Sequence, residues 1–91
     1  MDIFAKITVH GLVQGVGYRY FVFDAARTHH LKGFVKNLFT GEVEIQVEGS
    51  EGSVKSFIEE IKTGPRLSRV KSVQVDIHQF ENRFHSFEVT Y

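Results

Sequence analysis

The 91-residue sequence contains no cysteine. That excludes a disulfide framework, a thiolate nucleophile and any metal site built on sulfur. A long apolar run is also missing, since nothing approaches the roughly 18 consecutive apolar residues that a membrane span requires. The opening Met-Asp-Ile-Phe is not a basic segment leading into an apolar stretch, so no signal peptide is expected and the expected location is cytoplasmic. Neither sign of charge dominates: eleven Lys and Arg stand against eleven Asp and Glu. Such a balance argues against broad nucleic-acid binding, which draws most of its affinity from neutralising phosphates. Any anion-directed function must be concentrated in a few residues.

What is present suffices for one core. Hydrophobic residues make up 42% of the chain, with nine Phe and three Tyr, so disorder is not expected. At this length a single domain over residues 1–91 is expected. Ile3, Ala5, Ile7 and Val9 alternate with polar residues, the pattern of a half-buried strand. Helix formers then run from Tyr20 to Leu31, with Val22, Ala25, Ala26 and His29 on one side. Phe34–Phe39 and Glu42–Glu48 read as strands joined through Phe39-Thr40-Gly41. Val43, Ile45 and Val47 mark the buried face of the second.

Ser50 or Ser53 can cap the next helix, whose Val54, Phe57, Ile58 and Ile61 form an amphipathic stripe. Gly64 and the only proline, Pro65, end it. Val73, Val75 and Ile77 alternate within a further strand, and a last short one is expected over Phe84–Val89. The order βαββαβ predicts an α+β, ferredoxin-like fold. Its antiparallel sheet carries two helices on one face and a short extra C-terminal strand.

Between the first strand and first helix lies Val9-His-Gly-Leu-Val-Gln-Gly-Val-Gly-Tyr-Arg19. Gly11, Gly15 and Gly17 can be turn glycines and nothing more. A glycine-punctuated loop entering a helix also gathers backbone N–H groups toward one point, beside the positive end of the helix. Arg19 adds a planar fork suited to phosphate oxygens. No Gly-Lys-Ser/Thr follows, so this is not a P-loop. The glycines also miss the dinucleotide-binding register. A second segment, Gly33-Phe-Val-Lys-Asn37, places a lone amide on a strand. A phosphate cradle and an amide together point toward hydrolysis of a phosphate compound.

The wording of both segments resembles the acylphosphatase family. Val9-x-Gly-x-Val-Gln-Gly-Val-x-Tyr-Arg19 is similar to its signature loop. Gly33-Phe-Val-Lys-Asn37, followed by Gly41-x-Val43 and Gly49, is similar to its second signature. The resemblance covers essentially the whole chain. It implies hydrolysis of acyl phosphates to a carboxylate and inorganic phosphate. The backbone amides of Gln14, Gly15, Val16, Gly17 and Tyr18, with the Arg19 guanidinium, would hold the phosphoryl group, and Asn37 would orient the attacking water.

Departures from the family's commonest pattern leave Arg19 and Asn37 untouched. Tyr18 stands where Phe is more frequent, and Gly17 occupies a variable position. His30 precedes Leu31 where glycine often ends the helix, so a left-handed histidine is expected there.

A carboxylate leaves a mixed anhydride readily, so phosphoryl transfer to water is mainly a matter of positioning and charge stabilisation. Arg19 and N–H donors serve the second need and Asn37 the first, with the substrate's own phosphate as the expected proton acceptor. No metal or other cofactor is expected. The partners expected are a small acyl phosphate and product phosphate, with no nucleic acid, no membrane and a monomeric state.

The five histidines read as solvated or capping residues, with His10, His78 and His85 on separate strands. Glu42, Glu44 and Glu48 read as a polar strand face, Arg66 and Arg69 as surface charge, and the phenylalanines mainly as core. Three alternatives compete with hydrolysis. One is a non-catalytic phosphate- or RNA-binding module, since Lys32–Phe39 faintly resembles the aromatic strand of RNA-recognition motifs. That strand, however, would be the second rather than the third. Another is a domain of the kind found inside larger carbamoyl-transfer maturation proteins. The third is a ferredoxin-like interaction domain, which would need neither Arg19 nor Asn37.

Overall fold

The computed structural model describes residues 1–91. The chain runs β1 (Asp2–Leu12), α1 (Tyr18–Thr28), β2 (Lys32–Asn37), β3 (Val43–Ser50), α2 (Glu51–Thr63), β4 (Arg69–Gln79) and β5 (Phe87–Thr90). The strands form one sheet in the order β4-β1-β3-β2-β5. Each helix joins two parallel strands that flank a third, the split βαβ arrangement expected from the element order. The first four strands pair antiparallel. The short final strand instead adds parallel to β2, aligning Phe87 with Gly33 and Thr90 with Lys36. That pairing brings the end of the chain beside the strand that carries Asn37.

The core lies between helices and sheet, where the alternating residues of the strands meet the stripes of the helices. Ile3, Ala5, Ile7 and Val9 of β1 are buried with Val43, Ile45 and Val47 of β3. Opposite them lie Tyr18, Val22, Ala25 and Ala26 of α1 and Val54, Phe57, Ile58 and Ile61 of α2. Burying a side chain of this size contributes about 1.5–3 kcal/mol, so these two stripes fix how the helices seat. Ser50 caps α2, its hydroxyl accepting from Ser53 N.

The end of α1 explains His30. His30 N donates to Arg27 O and Leu31 N to Ala26 O, the paired bonds of a Schellman closure. The closure needs a left-handed residue at its turn, and His30 has φ 57°.

Several expectations change with the tertiary structure. Val75 and Ile77 are exposed, because β4 is an edge strand that the helical layer covers only in part. Glu48 does not belong to the polar outer face expected for β3. It is buried on the sheet face away from the helices, where its carboxylate accepts from Glu81 N at 3.0 Å and Arg83 N at 2.7 Å. This anchor seats the β4–β5 connection over Phe4, which lies beneath the Arg83 guanidinium at 4.9 Å and is only 1% exposed. His85 belongs to that connection, not to a strand. Phe39, by contrast, sits fully exposed at the β2–β3 turn.

Candidate active site

β1 ends with an irregularity that puts Gly11 inside the strand, where its pairing with β4 shifts register. A Cβ on Gly11 would strike the backbone of Arg69, so the strand end can form only with glycine there. The following loop, Val13–Gly17, delivers the chain into α1. Gly15 and Gly17 adopt φ 74° and 78°, left-handed values that a side chain disfavours. An added Cβ at either would touch no protein atom, so conformation and not space demands glycine.

Gly17 caps α1 without a side-chain hydrogen bond, and no acidic residue occupies the first turn. The N–H groups of that turn and the positive end of the helix dipole therefore remain available to an anion.

A cavity of about 100 Å³ opens at this helix end. Val13, Gly15, Gly17, Tyr18, Arg19, Tyr20 and Asn37 line it, and Arg19 is the only charged residue among them. Arg19 and Asn37 thus face one hollow, although they come from a helix and from the end of a strand across the sheet. Gln14 and Val16 do not line it. Arg66 and Arg69 stand apart from it as well.

Asn37 presents the most telling atom of the site: its Oδ1 is buried and has no hydrogen-bond partner in the protein. A buried acceptor left unpaired costs about 1–3 kcal/mol, which sets this atom apart from the other buried polar groups of the chain. Arg19 is held from behind. Its Nη1 donates to Thr90 O at 3.0 Å, and its guanidinium stacks 4.4 Å from the Tyr91 ring. The Tyr91 and Tyr20 hydroxyls meet at 3.0 Å, and this hydrogen bond holds the Tyr20 phenol above its usual pKa.

Tyr18 donates its hydroxyl to Ile61 O at 2.8 Å, satisfying one of the free carbonyls in the last turn of α2. Burial raises its pKa. The β2–β3 turn beyond Asn37 is tightened by the Thr40 hydroxyl, which donates to the Glu42 carboxylate and holds it below the usual carboxylate range. None of the contacts from Thr90, Tyr91 or Tyr20 has a signature in the sequence, because each joins the start of α1 to the far end of the chain.

A larger hollow, about 310 Å³, opens at the opposite end of the sheet near His29, His30, Lys32 and Glu48. Its one buried charge, Glu48, is already satisfied by the two backbone donors described above. Nor do three His, Asp or Glu side chains converge anywhere as a metal site would require. No helix is long and apolar enough to cross a membrane.

The sequence profile of the acylphosphatase family matches residues 5–89. The chain belongs to the acylphosphatase family. It is 45% identical to an acylphosphatase of Archaeoglobus fulgidus over 86 residues, covering 94% of this chain and 96% of that one. The crystal structure of acylphosphatase from Bacillus subtilis superposes with a TM-score of 0.95 at 40% identity, covering 98% of this chain and 99% of that one. A full-length HypF, solved in a phosphate- and nucleotide-bound form, matches with a TM-score of 0.91 at 37% identity. This chain is covered completely there but accounts for 12% of that protein. The first two relatives are thus matched over nearly their whole length, and the HypF over a small part of its own. Membership makes it an enzyme that hydrolyses acyl phosphates.

Proposed function

We propose that the cavity at the start of α1 holds the phosphoryl group of an acyl phosphate, and that water oriented by Asn37 attacks phosphorus in line with the leaving carboxylate. The observation that carries this reading is that Asn37, whose buried Oδ1 has no partner in the protein, lines the same hollow as Arg19, the one charged side chain there. A space of about 100 Å³ admits a small tetrahedral anion. The acyl group then stays at the mouth.

The roles follow from the groups present. The N–H groups of the loop residues that line the cavity, Gly15, Gly17 and Tyr18, and the Arg19 guanidinium take the phosphoryl oxygens, whose charge they stabilise through the transition state. Asn37 Oδ1 accepts one proton of the water in a hydrogen bond, which turns an oxygen lone pair toward phosphorus. The new O–P bond forms as the bond to the carboxyl oxygen breaks, and its electron pair leaves with the carboxylate. A neutral amide is no base at pH 7. The water's proton therefore passes to a phosphoryl oxygen of the substrate itself, giving inorganic phosphate. The reaction so written calls for no metal or cofactor.

Residues 1–91 act as one domain in this reading, a cytoplasmic monomer with a small-molecule substrate and neither nucleic acid nor membrane as partner. Zero formal net charge supports the absence of a nucleic-acid partner.

The experiment is hydrolysis of benzoyl phosphate with a chelator present in ¹⁸O-labelled water. The label is expected in inorganic phosphate, with added phosphate inhibiting competitively. Label in the benzoate would overturn in-line attack at phosphorus, and no hydrolysis under these conditions would overturn the metal-free reaction.

A further inference from the structure

Gln14 does not line the cavity, yet its side chain reaches across the site. Its Nε2 donates to Leu38 O at 2.8 Å and to Glu42 O at 2.9 Å. Those carbonyls already close the β2–β3 turn: Leu38 N donates to Glu42 O at 2.8 Å, and Gly41 N donates to Leu38 O at 3.1 Å. Each oxygen thus accepts two hydrogen bonds, one from the turn and one from Gln14, which fills its two lone pairs. The amide is part-buried. These are the only side-chain hydrogen bonds between residues 13–17 and the turn.

Leu38 directly follows Asn37. We propose that Gln14 is a positioning residue, which fixes how far the phosphate cradle stands from the Asn37 amide. The inference rests on the water-orienting role given to Asn37 above. The sheet already ties the end of β1 to Asn37, since Val9 and Asn37 both pair with Val43, but the loop beyond β1 is left to flex against that frame. Gln14 ties this loop to the turn that follows Asn37. Only a planar NH₂ group on a side chain of this length offers two diverging donors to two carbonyls while remaining neutral beside an anion site. Glutamate would set oxygen against oxygen at both places, and methionine would fill the volume with no donor.

The test compares kcat, KM and the inhibition constant of inorganic phosphate for Gln14→Met and Gln14→Glu, using benzoyl phosphate, in the wild-type and Asn37→Ala backgrounds. A misplacement near 1 Å in an attacking arrangement costs on the order of 10²-fold, so kcat is expected to fall at least about 10-fold in both variants. The phosphate inhibition constant should stay within about threefold, because the cradle's own amides and Arg19 are retained. In the Asn37→Ala background, Gln14→Met should lower kcat by less than about twofold, the non-additivity of residues acting as a unit.

Gln14→Lys, whose ammonium can meet both carbonyls, should recover several-fold in kcat over Gln14→Met; it also covers the case in which the first variants do not fold. Undiminished kcat in Gln14→Met, a full multiplicative loss in the double variant, or phosphate inhibition weakening in step with kcat would each overturn the proposal. Full activity of Asn37→Ala alone would instead overturn the function proposed for the site, whatever Gln14 does.

Discussion

Asn37→Ala separates activity from stability more sharply than any other change at this site. The amide oxygen is buried without a protein partner, so the side chain contributes to the fold a group that the fold does not satisfy. An unpaired buried acceptor costs about 1–3 kcal/mol, and nearly nothing where a water pairs with it. Truncation is therefore neutral or stabilising. For a domain near this size, 1 kcal/mol shifts Tm by about 4–8 °C, so Tm should hold, or rise by about that amount for each kcal/mol relieved.

Turnover should move the other way. Loss of one preorganised group at such a site costs about 10²–10³ in kcat, or roughly 2.7–4 kcal/mol. Inorganic phosphate should inhibit as in the wild type, because Arg19 and the loop amides remain. Thermal melts, steady-state kinetics on benzoyl phosphate and phosphate inhibition measure the three quantities on one preparation. Near wild-type kcat would refute the assigned role. A Tm lowered by several degrees would refute the reading of Oδ1 as unsatisfied. Asn37→Asp should behave differently, because a unit charge within about 4 Å of the phosphoryl group costs roughly 4 kcal/mol at an effective dielectric near 20; phosphate inhibition should weaken there together with kcat.

Arg19→Ala should lose phosphate inhibition and turnover together, by about 10²-fold or more in kcat/KM, since it removes the one charged wall of the cavity; isothermal titration with phosphate and steady-state kinetics check both. Tyr18→Phe leaves Ile61 O without its partner and should cost about 1–2 kcal/mol in urea unfolding. His30→Gly removes a left-handed side-chain penalty of about 1–2 kcal/mol and adds an unfolded-state entropy cost of about 0.5–1 kcal/mol. The net expectation is a gain of about 0.5–1 kcal/mol, which thermal melts would register as a higher Tm; a lower Tm would contradict the cost assigned to φ 57°.

Much of this protein is legible one segment at a time. The alternation of Ile3, Ala5, Ile7 and Val9, the stripe of Val54, Phe57, Ile58 and Ile61, and the cap at Ser50 are local features, and local patterns report local structure. The wording of Val9–Arg19 and Gly33–Asn37 likewise stands in the chain itself, and it carries the family. Even the left-handed turn at His30 could be read beforehand, because helix closure has a stereotyped geometry.

Only the tertiary structure decided the rest. β5 could have paired on either edge; its parallel docking on β2 sets Thr90 and Tyr91 behind Arg19. Glu48 reads as one more surface charge in an alternating strand, until the β4–β5 connection folds over it and two backbone donors make its burial tolerable. Gln14 reads as one residue of a loop, until the β2–β3 turn comes within reach of its amide. Periodicity records which face a residue turns to its own element. Which distant backbone atoms will need that residue's hydrogen bonds is settled when the elements pack.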